Sequence, residues 1–71
     1  MEHYEIQVGC HLEPRRAHAL GCELLRLLPD GRSVLTFAAA DQAALYGLLS
    51  RLRDAGLLLV ATRRLEDPAA E

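Results

Sequence analysis

The chain has 71 residues, enough for one small domain that buries only about 60% of the surface its unfolded form exposes, so association is an expected source of further burial. Its net charge is −2 and all eight basic residues are arginine, a usage that a GC-rich coding bias produces alongside abundant Ala, Leu and Gly; the acidic balance argues against nucleic-acid binding. Two cysteines are too few for a disulfide framework, Met1-Glu2-His3 does not open a secretion signal, and no apolar run reaches the length of a membrane span, so a soluble cytoplasmic protein with reduced thiols is expected.

Residues 3–10 alternate, with Tyr4, Ile6, Val8 and Cys10 in one phase and His3, Glu5, Gln7 and Gly9 in the other, which predicts a strand with one wet face. Residues 11–21 contain a short helical candidate, with Glu13 near its start, Pro14 suited to a first helical position and Gly21 ending it. Residues 22–28 and 32–39 flank Pro29-Asp30-Gly31, whose Asp-Gly pair is a hairpin signal between antiparallel strands. Asp41 is a suitable N-cap for the strongest element, in which Ala44, Leu45, Leu48, Leu49, Leu52 and Ala55 recur on one helical face. Gly56 takes the position after the C-cap, where a left-handed residue is wanted, and Leu57 follows where it can touch Leu52. Residues 57–64 form the last expected strand, within a single domain over 1–66; residues 67–71 are expected to be a frayed tail.

The order β, short α, β, β, α, β is the split βαβ arrangement of an α+β, ferredoxin-like sandwich. It implies a four-stranded antiparallel sheet with the first strand between the third and fourth and with helices on one face. A three-stranded meander is the rival if residues 11–21 are only a loop.

Helices on one face call for alternation, yet Leu24-Leu25-Arg26-Leu27-Leu28 and Leu57-Leu58-Leu59-Val60-Ala61 are apolar in both phases. Scattered exposed leucines would be unremarkable, but these runs are continuous. A homodimer or larger homo-oligomer is therefore expected, with Leu25, Leu27, Val34, Thr36, Leu58 and Val60 as its self-association surface.

No residue set announces chemistry. His3, Cys10, His11, His18 and Cys22 fit no metal-ligand spacing, and Cys10 is in phase with Ile6 and Val8 as a small core residue. Cys10 and His11 are neighbours on a strand and would point apart, so they do not form a nucleophile with its base. Arg51, Arg53, Arg63 and Arg64 could form a basic patch, but Arg63 and Arg64 fall on opposite strand faces, and Glu13, Glu23 and Asp54 are available as partners. Tyr4 and Phe37 fit the core phase, which leaves no aromatic face for RNA. No catalytic, cofactor-binding or metal-binding residue is assigned, and no nucleic-acid or membrane partner is expected.

The segment 40–49 (ADQAALYGLL), with Arg51, Asp54, Gly56-Leu57 and residues 60–64, resembles the helix-and-strand unit of a group of short uncharacterised bacterial proteins common in GC-rich actinobacteria and Chloroflexi, as do Tyr4-Glu5-Ile6 and the Pro29-Asp30-Gly31 turn. The helix of that group typically reads DQAALHGLLxRIRDLGLxLLxVRR. This chain departs by carrying Tyr46 where histidine is usual, and by Cys10 and Cys22. The resemblance implies a fold and no activity. The leading expectation is a non-enzymatic homo-oligomeric interaction or regulatory module; the alternatives are an ACT-like dimer that senses a small ligand and a small cofactor-independent ferredoxin-like enzyme.

Overall fold

In the computed structural model, which describes residues 2–65, the alternating segment at the start of the chain is strand β1 (Glu2–Val8). Gly9 ends the alternation, and a bend leads to helix α1 (Pro14–Ala19), with Pro14 in its first turn. Strands β2 (Leu24–Leu27) and β3 (Ser33–Ala39) form the expected hairpin, with Gly31 at φ +93° in the connection. Helix α2 (Gln42–Asp54) and strand β4 (Leu59–Leu65) complete the chain. The fold is α+β, with a four-stranded open antiparallel sheet in the order β2-β3-β1-β4. β1 thus lies between β3 and β4, and the meander reading is set aside. The expected tail lies outside the described residues.

Register assigns the two faces of the sheet. Ile6 pairs with Leu35 and Tyr4 with Phe37 on one face. The other carries His3, Glu5 and Gln7 opposite Ala38, Thr36 and Val34. Ile6, Val8, Leu35 and Phe37 pack with Leu12, Ala17, Leu48 and Leu52, so both helices cover the first face and the second is open. At roughly 1.5–3 kcal/mol for each large apolar side chain removed from water, this cluster dominates the stability of so small a domain.

The helix ends form as their residues dictate. The Asp41 carboxylate accepts from the Ala44 N–H at 2.8 Å. At the other end the Leu57 N–H donates to the Leu52 carbonyl at 3.2 Å and the Gly56 N–H to that of Arg53 at 2.9 Å, with Gly56 at φ +80°. This is a Schellman ending, and α1 closes the same way through Gly21 and Cys22. Asp41→Ala should cost about 0.5–2 kcal/mol by urea denaturation, and an unchanged midpoint would show the cap to be dispensable.

Three local expectations are corrected. β1 stops at Val8, so Cys10 leaves the core phase and is exposed. Ala44 is also exposed, because the buried stripe of α2 is Leu45, Leu48 and Leu52. β2 is four residues long, shorter than the apolar run around it, because Glu23 and Leu28 already belong to its connections.

Candidate functional site

Strand β4 is the anomaly of the fold. Leu59 to Arg64 are exposed without interruption, although the segment opens Leu-Val-Ala. Neither helix reaches over it, and as an edge strand it has no backbone partner along one side among the described residues. Leu58 is 70% exposed, Leu59 46% and Val60 45%. The 60% exposed Tyr46 projects from the facing side of α2. Between them lies an open groove of about 510 Å³, walled by Tyr46, Leu49 and Leu52 of α2 and by Leu57 to Leu59, with Ser50 and Arg53 supplying its polar groups.

Local geometry explains how these leucines come to the surface. The Schellman turn at Gly56 sends Leu57 back against the core while Leu58 passes over β1 at Gly9. The Gly9 N–H donates to the Leu58 carbonyl at 2.9 Å, and a Cβ at Gly9 would meet the Leu58 side chain at 3.0 Å. A bulge follows: Val8 pairs with Leu59 but Gln7 with Ala61, leaving Val60 as the extra residue.

The charges on β4 are tied down within the sheet. Arg63 reaches Glu5 at 3.4 Å on the open face, and Arg64 reaches Glu2 at 2.7 Å on the other. The arginines of α2 do not join them in a patch. Arg51 donates to the Leu20 carbonyl at 2.7 Å, closing the end of α1, while Arg53 lies beside Asp54 at 3.4 Å. Glu23 pairs with His3, not with an arginine.

The six residues expected to form one self-association surface are divided by the register. Leu25 pairs with Leu35 and packs against the helix-side core, and Leu27 pairs with Ser33 on that same side. Val34 and Thr36 lie on the open face, beside Arg26 and Leu24 of β2. Leu58 and Val60 belong to the β4 edge. A single residue of phase in β2 separates the two sets.

The open face is less apolar than its sequence suggests. Val34 is only 4% exposed, and Arg32 beside it is held by Asp30 at 2.6 Å and donates to the Gln7 side chain at 3.0 Å. Hydrogen bonds from Arg32 hold the Asp30 carboxyl below its ordinary range, and the same pairing raises Arg32. Because the folded-state value of Asp30 is lowered, this clip is intact above the ordinary carboxylate range and is lost as pH falls through the lowered value.

The candidate ligands for chemistry are dispersed. Among the described residues, no three of His, Cys, Asp and Glu are grouped to hold a metal ion. Cys10 and Cys22 are free thiols; the Cys22 Sγ–H donates to the Leu24 carbonyl at 2.9 Å. His11 Nε2 lies 2.7 Å from the Leu28 carbonyl, a contact that requires the proton on Nε2. Among the described residues, no helix is long and apolar enough to cross a membrane.

Two residues that matter carry no clear signal in the sequence. Gly9 gives Leu58 its path across β1. Ser33, fully buried, holds the bend after β1: its hydroxyl donates to the Cys10 carbonyl at 2.6 Å and accepts from the Leu12 N–H at 2.9 Å. The Ser within an otherwise apolar buried strand was the available signal.

Residues 3–63 match the model of a family described as a domain of unknown function, DUF8691, and the chain belongs to that family. No curated protein and no solved structure matches it.

Proposed function

We propose that this protein is a non-enzymatic homo-oligomeric interaction module of ferredoxin-like type, working through the β4 side of its sheet. The observation that carries the reading is the uninterrupted exposure of Leu59 to Arg64 on β4, beside the apolar groove at Tyr46 and Leu57 to Leu59. A contiguous apolar feature on so small a domain marks a contact surface. The ferredoxin-like assignment rests on the split βαβ connectivity and on the position of β1 between β3 and β4. Light scattering at micromolar concentration tests the function directly: a dimeric or larger mass is expected, and a monomeric mass would overturn the reading.

The groove also favours a second reading, an ACT-like dimer that takes a small ligand. Its size lies in the range of small-molecule sites, and Ser50 and Arg53 provide polar anchors at an apolar wall. Thermal-shift screening against amino acids and nucleotides separates the two readings, since only the sensor gains stability from a ligand.

A further inference from the structure

Among the described residues neither edge of the sheet is paired, and the two edges are not equivalent. β2 is four residues long, carries Arg26 in its middle and runs into Pro29 two residues beyond its end, the kind of short, interrupted edge that resists pairing. β4 is seven residues long and contains neither proline nor lysine. The arginines that would repel a like edge are each matched by a carboxylate of β1, Arg63 by Glu5 and Arg64 by Glu2. The edge that faces solvent is therefore long and charge-balanced, with exposed apolar residues at its start.

We infer that β4 pairs antiparallel with β4 of a second copy, joining two sheets into one continuous eight-stranded sheet with the helices of both copies on the same side. The inference rests on the homo-oligomeric reading above and assigns its interface. A two-fold axis perpendicular to such a sheet must set one residue of β4 opposite its own copy. Centring on Arg63 would oppose two arginines, which is unfavourable. Centring on Thr62 places Thr62 against the partner's Thr62, a favourable cross-strand pair, and places each Arg63 and Arg64 opposite Ala61 and Val60. It also sets the partner's Leu65 opposite Leu59 at the start of the strand. Charge selects a second copy over a differently charged partner, since the edge presents no uncompensated arginine for an acidic segment to answer.

Directly opposed residues of an antiparallel pair have Cα atoms about 4.5–5.5 Å apart, within the span of a disulfide. The test is Thr62→Cys in a background carrying Cys10→Ser and Cys22→Ser, oxidised with copper phenanthroline and resolved on a non-reducing gel. Most of the chain should run as a covalent dimer, whereas Leu24→Cys on the β2 edge should stay monomeric on the gel. Light scattering on the same background, before oxidation, separates the two levels of the argument. An associated mass without a Thr62→Cys link, or with a Leu24→Cys link instead, overturns the β4 interface and leaves the homo-oligomer standing. A monomeric mass without a link overturns both. In the unmodified protein, hydrogen exchange of β4 amides should slow about tenfold or more as concentration rises, while β2 amides should not change. Equal behaviour of the two edges would also overturn the interface.

Discussion

Phe37→Ala should remove about half of the domain's stability and move its unfolding midpoint to much lower urea. Phe37 is 2% exposed, sits opposite Tyr4 on the helix face of the sheet and joins β3 to the buried stripe of α2. Truncating a buried phenylalanine costs about 3–5 kcal/mol, the lost transfer energy adding to the cavity left behind. A domain of this length has roughly 4–10 kcal/mol in total, so about half of the margin goes with one ring. The site cannot collapse cheaply, because Leu35 and Ile6 beside it are already fully buried in the sheet. Phe37→Leu, closer in volume, should cost about 1.5 kcal/mol or less and keep a single transition. Tyr46→Ala, on the exposed side of α2, should move stability by only about 0.5 kcal/mol. Urea titration followed by circular dichroism measures all three. A Phe37→Ala protein with the parental midpoint would mean that the core lies elsewhere.

How far these elements could be read in advance follows the range of the interactions that make them. The Asp41 cap, the leucines of the α2 stripe, the Gly56 turn and the Asp30-Gly31 hairpin are local, each set by residues within a few positions of one another, and each is legible. The place of β1 between β3 and β4 followed from element order through connection rules. Phase at the strand ends did not. The sequence places Leu25 and Leu27 with Val34 and Thr36 on one surface, but the pairs Leu25 with Leu35 and Arg26 with Val34 put them on opposite faces. An all-leucine run carries no alternation from which to read phase. The exposure of β4 was foreseeable only as a surplus of apolar residues over available helix. Its position as an uncovered edge beside Tyr46 required the third dimension. The bulge at Val60 is set by a pairing with Gln7 and Val8 more than fifty positions away in the chain. The neutralisation of Arg63 and Arg64 by Glu5 and Glu2 joins the two ends of the sequence in the same way, and no local pattern announces it.

Ser33 is the residue whose importance was least legible, and Ser33→Ala should cost more than a typical surface substitution by a wide margin. Its side chain closes two hydrogen bonds to the bend after β1, accepting from the Leu12 N–H and donating to the Cys10 carbonyl. Alanine has almost the same shape, so the core is not disturbed and the effect isolates the polar group. The Leu12 N–H is left buried without a partner, at a cost of about 1–3 kcal/mol, and losing the second bond adds about 1 kcal/mol. A loss of about 2–4 kcal/mol corresponds to a fall in Tm of roughly 10–30 °C for a domain this small. The specific readout is amide exchange at Leu12, which should become fast while the amides of α2 keep their relative protection. Ser33→Thr tests the same site from the other side: it restores the hydroxyl, but its extra methyl enters a position with no free surface, at about 1–3 kcal/mol. The bend also positions Gly9, whose N–H holds Leu58 at the entrance to β4. Ser33→Ala should therefore loosen the start of β4 before it melts the core, and weaken the proposed self-association at temperatures where the fold is still intact. Unaltered Leu12 exchange in Ser33→Ala would mean that water replaces the hydroxyl and that the bend is held by its neighbours instead.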